Sequence, residues 1–207
     1  GTDVDVLHDV SLTIEAGQQV LIVGPSGAGK STLVSLLPHL SALPEGVLAI
    51  DGRDIHRWPL RTLRRRIAFV PQESFLFSMT VAENIGFGVD EPTQEAVERA
   101  ASLAAMTGDI ARFPKGFETL VGERGVTLSG GQRQRMTIAR AAVMEPAIWV
   151  FDDCLSSVDA GTEQAIIRNL RSMTSQATAL FVTHRLLGFE GVDKVVVLDR
   201  GRVTEVG

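Results

Sequence analysis

Gln18-Gln19-Val20-Leu21-Ile22-Val23-Gly24-Pro25-Ser26-Gly27-Ala28-Gly29-Lys30-Ser31 is the stretch from which the rest of the chain is read. Its apolar run, Gln18 to Val23, fits a short strand buried on both faces. The run passes directly into G-x-x-x-x-G-K-[ST], and Lys30 to Leu37 then opens a helix. Glycines in such a loop let backbone N–H groups turn inward on phosphate oxygens, the lysine reaches the terminal phosphates, and the serine hydroxyl is a hard ligand for Mg²⁺. The spacing predicts a phosphate-binding loop formed by Gly24, Pro25, Ser26, Gly27, Ala28, Gly29, Lys30, Ser31 and Thr32. Only three lysines stand against 17 arginines in the chain, and Lys30 is the one this chemistry needs.

Working outward, Val4 to Ile14 alternates loosely and reads as a strand ending in an Ala16-Gly17 turn. Gly46 to Ile50 reads as a strand entering a tight Asp51-Gly52 turn. Arg61 to Arg66 is a short basic helix followed by a strand, Ile67 to Val70. From Gln72 to Thr127 the pattern turns helical, with Thr93 capping a helix that runs to about Met106. Gly131 to Met144 and Ala160 to Met173 are further helices, and Ala147–Phe151, Ala177–Val182 and Val192–Leu198 are buried-type strands. Strands alternating with helices predict a parallel sheet in one α/β domain spanning residues 1–207, with an inserted helical lobe at roughly 73–135.

Composition narrows the classes. The 207 residues are 44% apolar and 22% charged, and 25 acids against 20 bases leave a net charge of −5. That balance speaks against a nucleic-acid binder held by phosphate neutralisation, and Arg61, Arg64, Arg65 and Arg66 read as a solvated face. No apolar run approaches the roughly 20 residues of a membrane helix. The one cysteine, Cys154, reads as a small buried side chain.

Two further features specify the phosphate chemistry. Ala147-Ile148-Trp149-Val150-Phe151 delivers Asp152 at a strand's C-terminal end, where the metal of a bound nucleotide lies in an open α/β sheet. Asp152 is the expected partner of Ser31 in holding Mg²⁺. Leu128-Ser129-Gly130-Gly131-Gln132 opens another helix, with Ser129 at its cap. Taken in this order, the phosphate loop, the LSGGQ turn and the AIWVFD strand resemble the nucleotide-binding domain of ABC ATPases. The resemblance implies a P-loop NTPase with a RecA-like parallel core, an antiparallel β-subdomain and a helical subdomain. It implies ATP and Mg²⁺ as ligands, with Ser129, Gly130, Gly131, Gln132 and the D-loop residue Asp159 completing the site of a second such domain. Gln72 matches the Q-loop glutamine, which touches the metal, and His184 the switch histidine at the γ-phosphate.

Thr119-Leu120-Val121-Gly122-Glu123-Arg124-Gly125 is similar to a segment of ABC exporters, as is Val70-Pro71-Gln72-Glu73-Ser74-Phe75-Leu76-Phe77 followed by Thr80-Val81-Ala82-Glu83-Asn84-Ile85. In exporters the Gln72–Phe77 and Thr119–Gly125 regions would meet the transmembrane domains at the cytoplasmic face of the cell membrane. After Asp152, most active members of the family have glutamate as the general base, and this chain has Asp153. The string Asp152 to Asp159 looks like the degenerate half of heterodimeric bacterial multidrug-type exporters, which binds ATP but turns it over slowly. A homodimer in which Asp153 works through an additional water is the alternative. A regulatory or DNA-repair-type ABC ATPase is the alternative from another class, although the about 55 residues between Gln72 and Thr127 carry no heptads for a coiled coil. The family's adenine-stacking aromatic has no counterpart before Gly24, so the resemblance implies that this segment and the transmembrane domain lie outside the chain.

Overall fold

A computed structural model describes residues 6–122, 127–155, 160–184 and 189–207. The chain divides into two compact units: Gly1–Phe69, Ala147–Asp152 and Gln176–Gly207 form the first, and Val70–Pro146 with Asp153–Ser175 form the second.

The first unit is built on a six-stranded sheet whose strands are β1 (Gln19–Val23), β4 (Ile67–Val70), β5 (Ile148–Asp152), β6 (Thr178–Val182), β7 (Lys194–Asp199) and β8 (Arg202–Val206). Their order is β4-β5-β6-β1-β7-β8. β1 runs parallel to both β6 and β7, and β5 parallel to β6, as uninterrupted Val, Ile and Leu runs require when both faces are covered. Side chains alternate across the sheet. Val20, Ile22, Val150, Leu180, Val182 and Val196 join Val34 of helix α1 (Lys30–Ser35) and Leu63 of helix α2 (Leu60–Arg66) in one buried cluster. Other positions of the strands carry an aromatic ladder: the Trp149 and Phe151 rings stack at 5.6 Å between centroids, Phe151 and Phe181 at 5.0 Å.

Outside the sheet, β2 (Ala49–Ile50) and β3 (Arg53–Asp54) form a small antiparallel hairpin. Its turn residues have φ of 51° at Asp51 and 70° at Gly52, as a two-residue primed turn demands. On α2, Arg64 is committed to the carbonyls of Pro38 at 3.1 Å and His39 at 3.0 Å, so the basic face is partly a brace for the turn after α1.

Two differences from the pattern reading stand out. The alternating stretch before Gly17 forms no strand over residues 6–16, because a strand needs a neighbour along its whole edge. Instead His8 N donates to Gly201 O, Lys194 Nζ donates to Thr13 O, and Leu12 and Ile14 pack onto the core. In the other direction, β8 is an antiparallel strand that apolar periodicity does not reveal, since only Val203 and Val206 of its five residues are apolar. The Arg200-Gly201 turn, with φ of 44° and 74°, is the local signal for it.

The second unit contains α3 (Val81–Gly86), α4 (Gln94–Leu103), α5 (Thr107–Ile110), α6 (Gly130–Ala142) and α7 (Ala160–Met173). α3 and α4 pack on α6, and α4 also meets α7. This unit therefore extends past the helical stretch seen in the sequence, because α6 continues to Ala142 and α7 belongs with it. Caps set the helix starts. Thr80 and Glu83 form a reciprocal capping box on α3, Ser129 and Gln132 another on α6, and the Thr93 hydroxyl caps α4. Near the start of α6, Asp109 of α5 accepts from Gln132 Nε2 at 3.0 Å and from Arg135 at 2.6 Å. Partial burial pushes the Asp109 carboxyl up, but hydrogen bonds from Gln132 and Arg135 and the charges of Arg135 and Arg112 outweigh it and hold the carboxyl below the usual aspartate range.

Two predictions follow from this packing. A Cβ at Gly201 would lie 2.1 Å from Val6 O at a φ of +74°, so Gly201→Ala should destabilise the chain by about 2 kcal/mol or more in urea unfolding. Asp109→Asn should cost about 1–3 kcal/mol at pH 7. Because the folded-state pKa of Asp109 is lowered, its contribution is full above the unfolded aspartate pKa of about 3.9 and is lost as pH falls through the folded value. The stability gap between wild type and Asp109→Asn, measured by urea titration, should therefore close as pH drops from 5 to 2.5.

Candidate functional site

In the first unit the phosphate-loop residues lie where β1 ends. The chain leaves Val23 so close to β7 that a Cβ on Gly24 would stand 1.9 Å from Leu198 O, and only glycine fits there. Pro25, Ser26 and Gly27 form an exposed tip, and Ala28, Gly29 and Lys30 are buried behind it. The loop is fastened by Ala28 N to Pro25 O at 3.2 Å and by Gly201 N to Ala28 O at 2.9 Å, while Leu33 N bonds to Gly29 O at 2.9 Å as the helix begins. Lys30 is only 6% exposed, and its Nζ donates to the carbonyls of Gly24 and Pro25, both at 2.8 Å. The ammonium is thus folded across the loop that its own backbone forms.

Parity along β5 brings the acid to this loop. Ile148, Val150 and Asp152 occupy one face of the strand, the face that packs toward α1. Asp152 is 6% exposed, and Ser31 Oγ donates to its Oδ1 at 2.9 Å. Thr32 follows on α1, half-buried. His184 lies two residues past β6 and is exposed.

In the second unit, Gln72 is exposed and its Nε2 donates to Asp153 Oδ2 at 3.3 Å. Asp153 is half-buried, with a φ of 44°, a left-handed conformation that a short polar side chain tolerates better than most. The Ser129 turn is built around its cap. Ser129 Oγ accepts from Gln132 N at 3.2 Å, Gln132 Oε1 accepts from Ser129 N at 2.9 Å, and Arg133 donates to Leu128 O at 2.7 Å. Gln132 therefore turns back on its own helix and on Asp109, leaving exposed Ser129 and half-buried Gly130 and Gly131 to present the turn outward. Asp159 and the Glu123–Gly125 part of the exporter-like segment lie outside the described residues.

A second surface in this unit surrounds Phe75 and Phe77. Phe75 is 65% exposed and Phe87 is 53% exposed. The Phe77 ring stacks on Phe87 at 4.2 Å and meets Phe75 edge-on at 5.0 Å. Leu120 is exposed as well, and its segment pairs with the Thr80 segment through Val81 N to Thr119 O and Val121 N to Met79 O, both 3.0 Å. Behind the rings sit two residues to which the sequence reading assigned no role, Asn84 and Arg140. Burial lowers the pKa of Arg140, yet guanidinium remains charged throughout the ordinary pH range. The signal for Asn84 is its place between Val81 and Ile85 on the buried face of α3; for Arg140 it is a cation inside the apolar run Ile138 to Ala142.

Among the described residues, no helix is long and apolar enough to cross a membrane. Residues 7–156 match the ABC transporter family. The chain is 44% identical over 205 residues to an ATM1-type heavy metal exporter of Novosphingobium aromaticivorans, covering 99% of this chain and 34% of that protein. It is 44% identical over 208 residues to an ATP-dependent lipid A-core flippase of Aromatoleum aromaticum, covering all of this chain and 35% of the relative. The solved structure of a bacterial Atm1-family ABC exporter with ATP bound superposes with a TM-score of 0.94 at 43% identity, over 100% of this chain and 36% of that one. The chain thus spans about a third of the length of these relatives. A family match over most of the chain and a close superposition at 43% identity agree: the chain belongs to the ABC transporter family and has its ATPase-domain fold.

Proposed function

We propose that this chain binds ATP and couples its binding and hydrolysis to export through transmembrane domains, and that its own site is slow. The observation that carries ATP binding is the closed set of Lys30 on the loop carbonyls and Ser31 on Asp152. When a triphosphate enters, the Lys30 ammonium would turn from those loop carbonyls to the terminal phosphates while loop N–H groups turn on the inner ones. The Ser31 hydroxyl and the Asp152 carboxylate are hard oxygen donors 2.9 Å apart, a donor set that suits Mg²⁺. Ser31, Asp152 and Gln72 would hold that ion, which when bound neutralises charge on the phosphate oxygens.

Asp153 carries the second half of the reading. As general base it must bring a carboxylate oxygen within about 2.6–3.2 Å of the water it activates. One methylene less than glutamate shortens its reach, and a misplacement of about 1 Å costs on the order of 10²-fold in rate. His184 is assigned to the γ-phosphate, and Ser129, Gly130, Gly131, Gln132 and Asp159 to a nucleotide held by a second ATPase domain. The cap geometry supports Ser129, whose hydroxyl proton stays available for an acceptor while its oxygen serves Gln132 N. A slow site beside an intact signature turn fits a heterodimer, in which this chain completes the faster site of a different partner. The Gln72–Phe77 and Thr119–Gly125 regions are assigned to the cytoplasmic loops of the transmembrane domains, with the chain at the cytoplasmic face of the membrane. Exposed aromatic rings gathered on one surface favour an apolar partner of this kind over nucleic acid.

The measurement is nucleotide affinity alongside turnover. Lys30→Ala should weaken ATP binding at least tenfold by fluorescent-nucleotide titration, and Asp153→Glu should raise single-turnover hydrolysis at least tenfold in a dimer able to close. Brisk hydrolysis by the unaltered homodimer, unchanged by Asp153→Glu, would sink the slow-site reading and leave a symmetric, fully active ATPase.

A further inference from the structure

We propose that Arg140 and Asn84 are positioning residues that fasten the Phe75–Phe77 face to the helix bearing the Ser129 turn, so that the two move as one body. The inference rests on the docking and signature-turn roles assigned above, and it adds the connection between them.

The loop ahead of α3 has little regular structure to hold it, and its polar backbone groups are taken instead by two side chains. Asn84 is fully buried, and its Nδ2 donates to Phe77 O at 3.0 Å, Thr80 O at 3.1 Å and Met79 O at 3.3 Å. Its Oδ1 accepts from Phe77 N at 3.0 Å. Arg140 holds the same loop from α6. Its Nε donates to Asn84 O at 2.8 Å, one terminal nitrogen to Phe75 O at 2.9 Å, and the other to Asn84 Oδ1 at 2.8 Å. The guanidinium also lies over the faces of Phe77, at 5.3 Å, and Phe87, at 5.8 Å. The Phe77 and Phe87 rings therefore rest on a cation whose three nitrogens are all engaged. Lysine, a single charged point on a flexible stem, does not reproduce that fork.

Arg140 belongs to the same uninterrupted helix as the Ser129 cap, about 16 Å away along the axis at 1.5 Å per residue. The far end of that helix is anchored in turn by Gln132 and Arg135 on Asp109. A push on Phe75 or Phe77 thus meets a stiff rod held at both ends rather than a free loop. A load applied at the aromatic face tilts the helix and displaces Ser129, without any rearrangement of side chains between them.

The test uses the full-length polypeptide carrying this domain, with site-resolved amide hydrogen exchange and ATP kinetics on wild type and Arg140→Lys. The fastening predicts at least tenfold faster exchange at the Phe77 amide. It also predicts at least threefold faster exchange at the Gln132 amide, which Arg140 does not touch, with α4 unchanged. Turnover should fall at least fivefold while KM for ATP stays within twofold. Exchange that rises evenly over α3, α4 and α6, or that changes at Phe77 and not at Gln132, would reduce Arg140 to a local structural role and overturn the proposal. Should Arg140→Lys fail to fold, Asn84→Ser serves the same comparison and is held to the same outcomes. If the wild-type polypeptide binds no ATP, the proposed function fails, while paired exchange at Phe77 and Gln132 still decides whether the fastening exists.

Discussion

Everything in the first unit depends on how closely β1 can run beside β7. Hydrogen-bonded on both edges, β1 has no freedom to shift, so the residue after Val23 must pass the Leu198 carbonyl at a distance that excludes any side chain. Gly24 meets that constraint, and the loop that follows is then pinned from behind by Gly201 through Ala28. The last hairpin of the sheet, far away in sequence, thereby shapes the loop from Gly24 to Gly29. Without this support a glycine-rich loop would lose much of its order to backbone entropy.

The second unit solves a different problem. The segment between Pro71 and Thr80 is irregular, so its carbonyls need partners other than a ladder or a helix turn. Asn84 provides them from a buried position and Arg140 from a half-buried one, and at the other end of α6 Asp109 does comparable work for Gln132 and Arg135. Polar side chains thus set the shape of this unit at the points where apolar packing has no directional control.

How much of this was legible in the sequence varies with the kind of force involved. β4 and α7 have the bounds that periodicity and punctuation indicate, and β5 and β6 differ by a residue at their ends. The loop between β1 and α1 was legible as a strand-to-helix connection, because the apolar run ends at Val23 and a glycine-rich spacing follows it. The Ser31–Asp152 meeting was legible too, since the alternation of β5 puts Asp152 on the face of Val150. The stretch before Gly17 misled because alternation reports a half-buried chain, and Leu12 and Ile14 pack on the core without a ladder. β8 was overlooked because an edge strand exposed along most of its length has no apolar signature. Asn84 and Arg140 escaped assignment because their partners are backbone carbonyls, which every sequence has in equal measure.

Cys154, the chain's only thiol, is 3% exposed. A buried thiol of this kind reacts slowly with bulky electrophiles. The native chain is therefore close to a cysteine-free background for labelling. One new cysteine on an exposed position such as Ser26 or Glu73 would carry a fluorophore or spin label almost alone, without first removing a residue from the core.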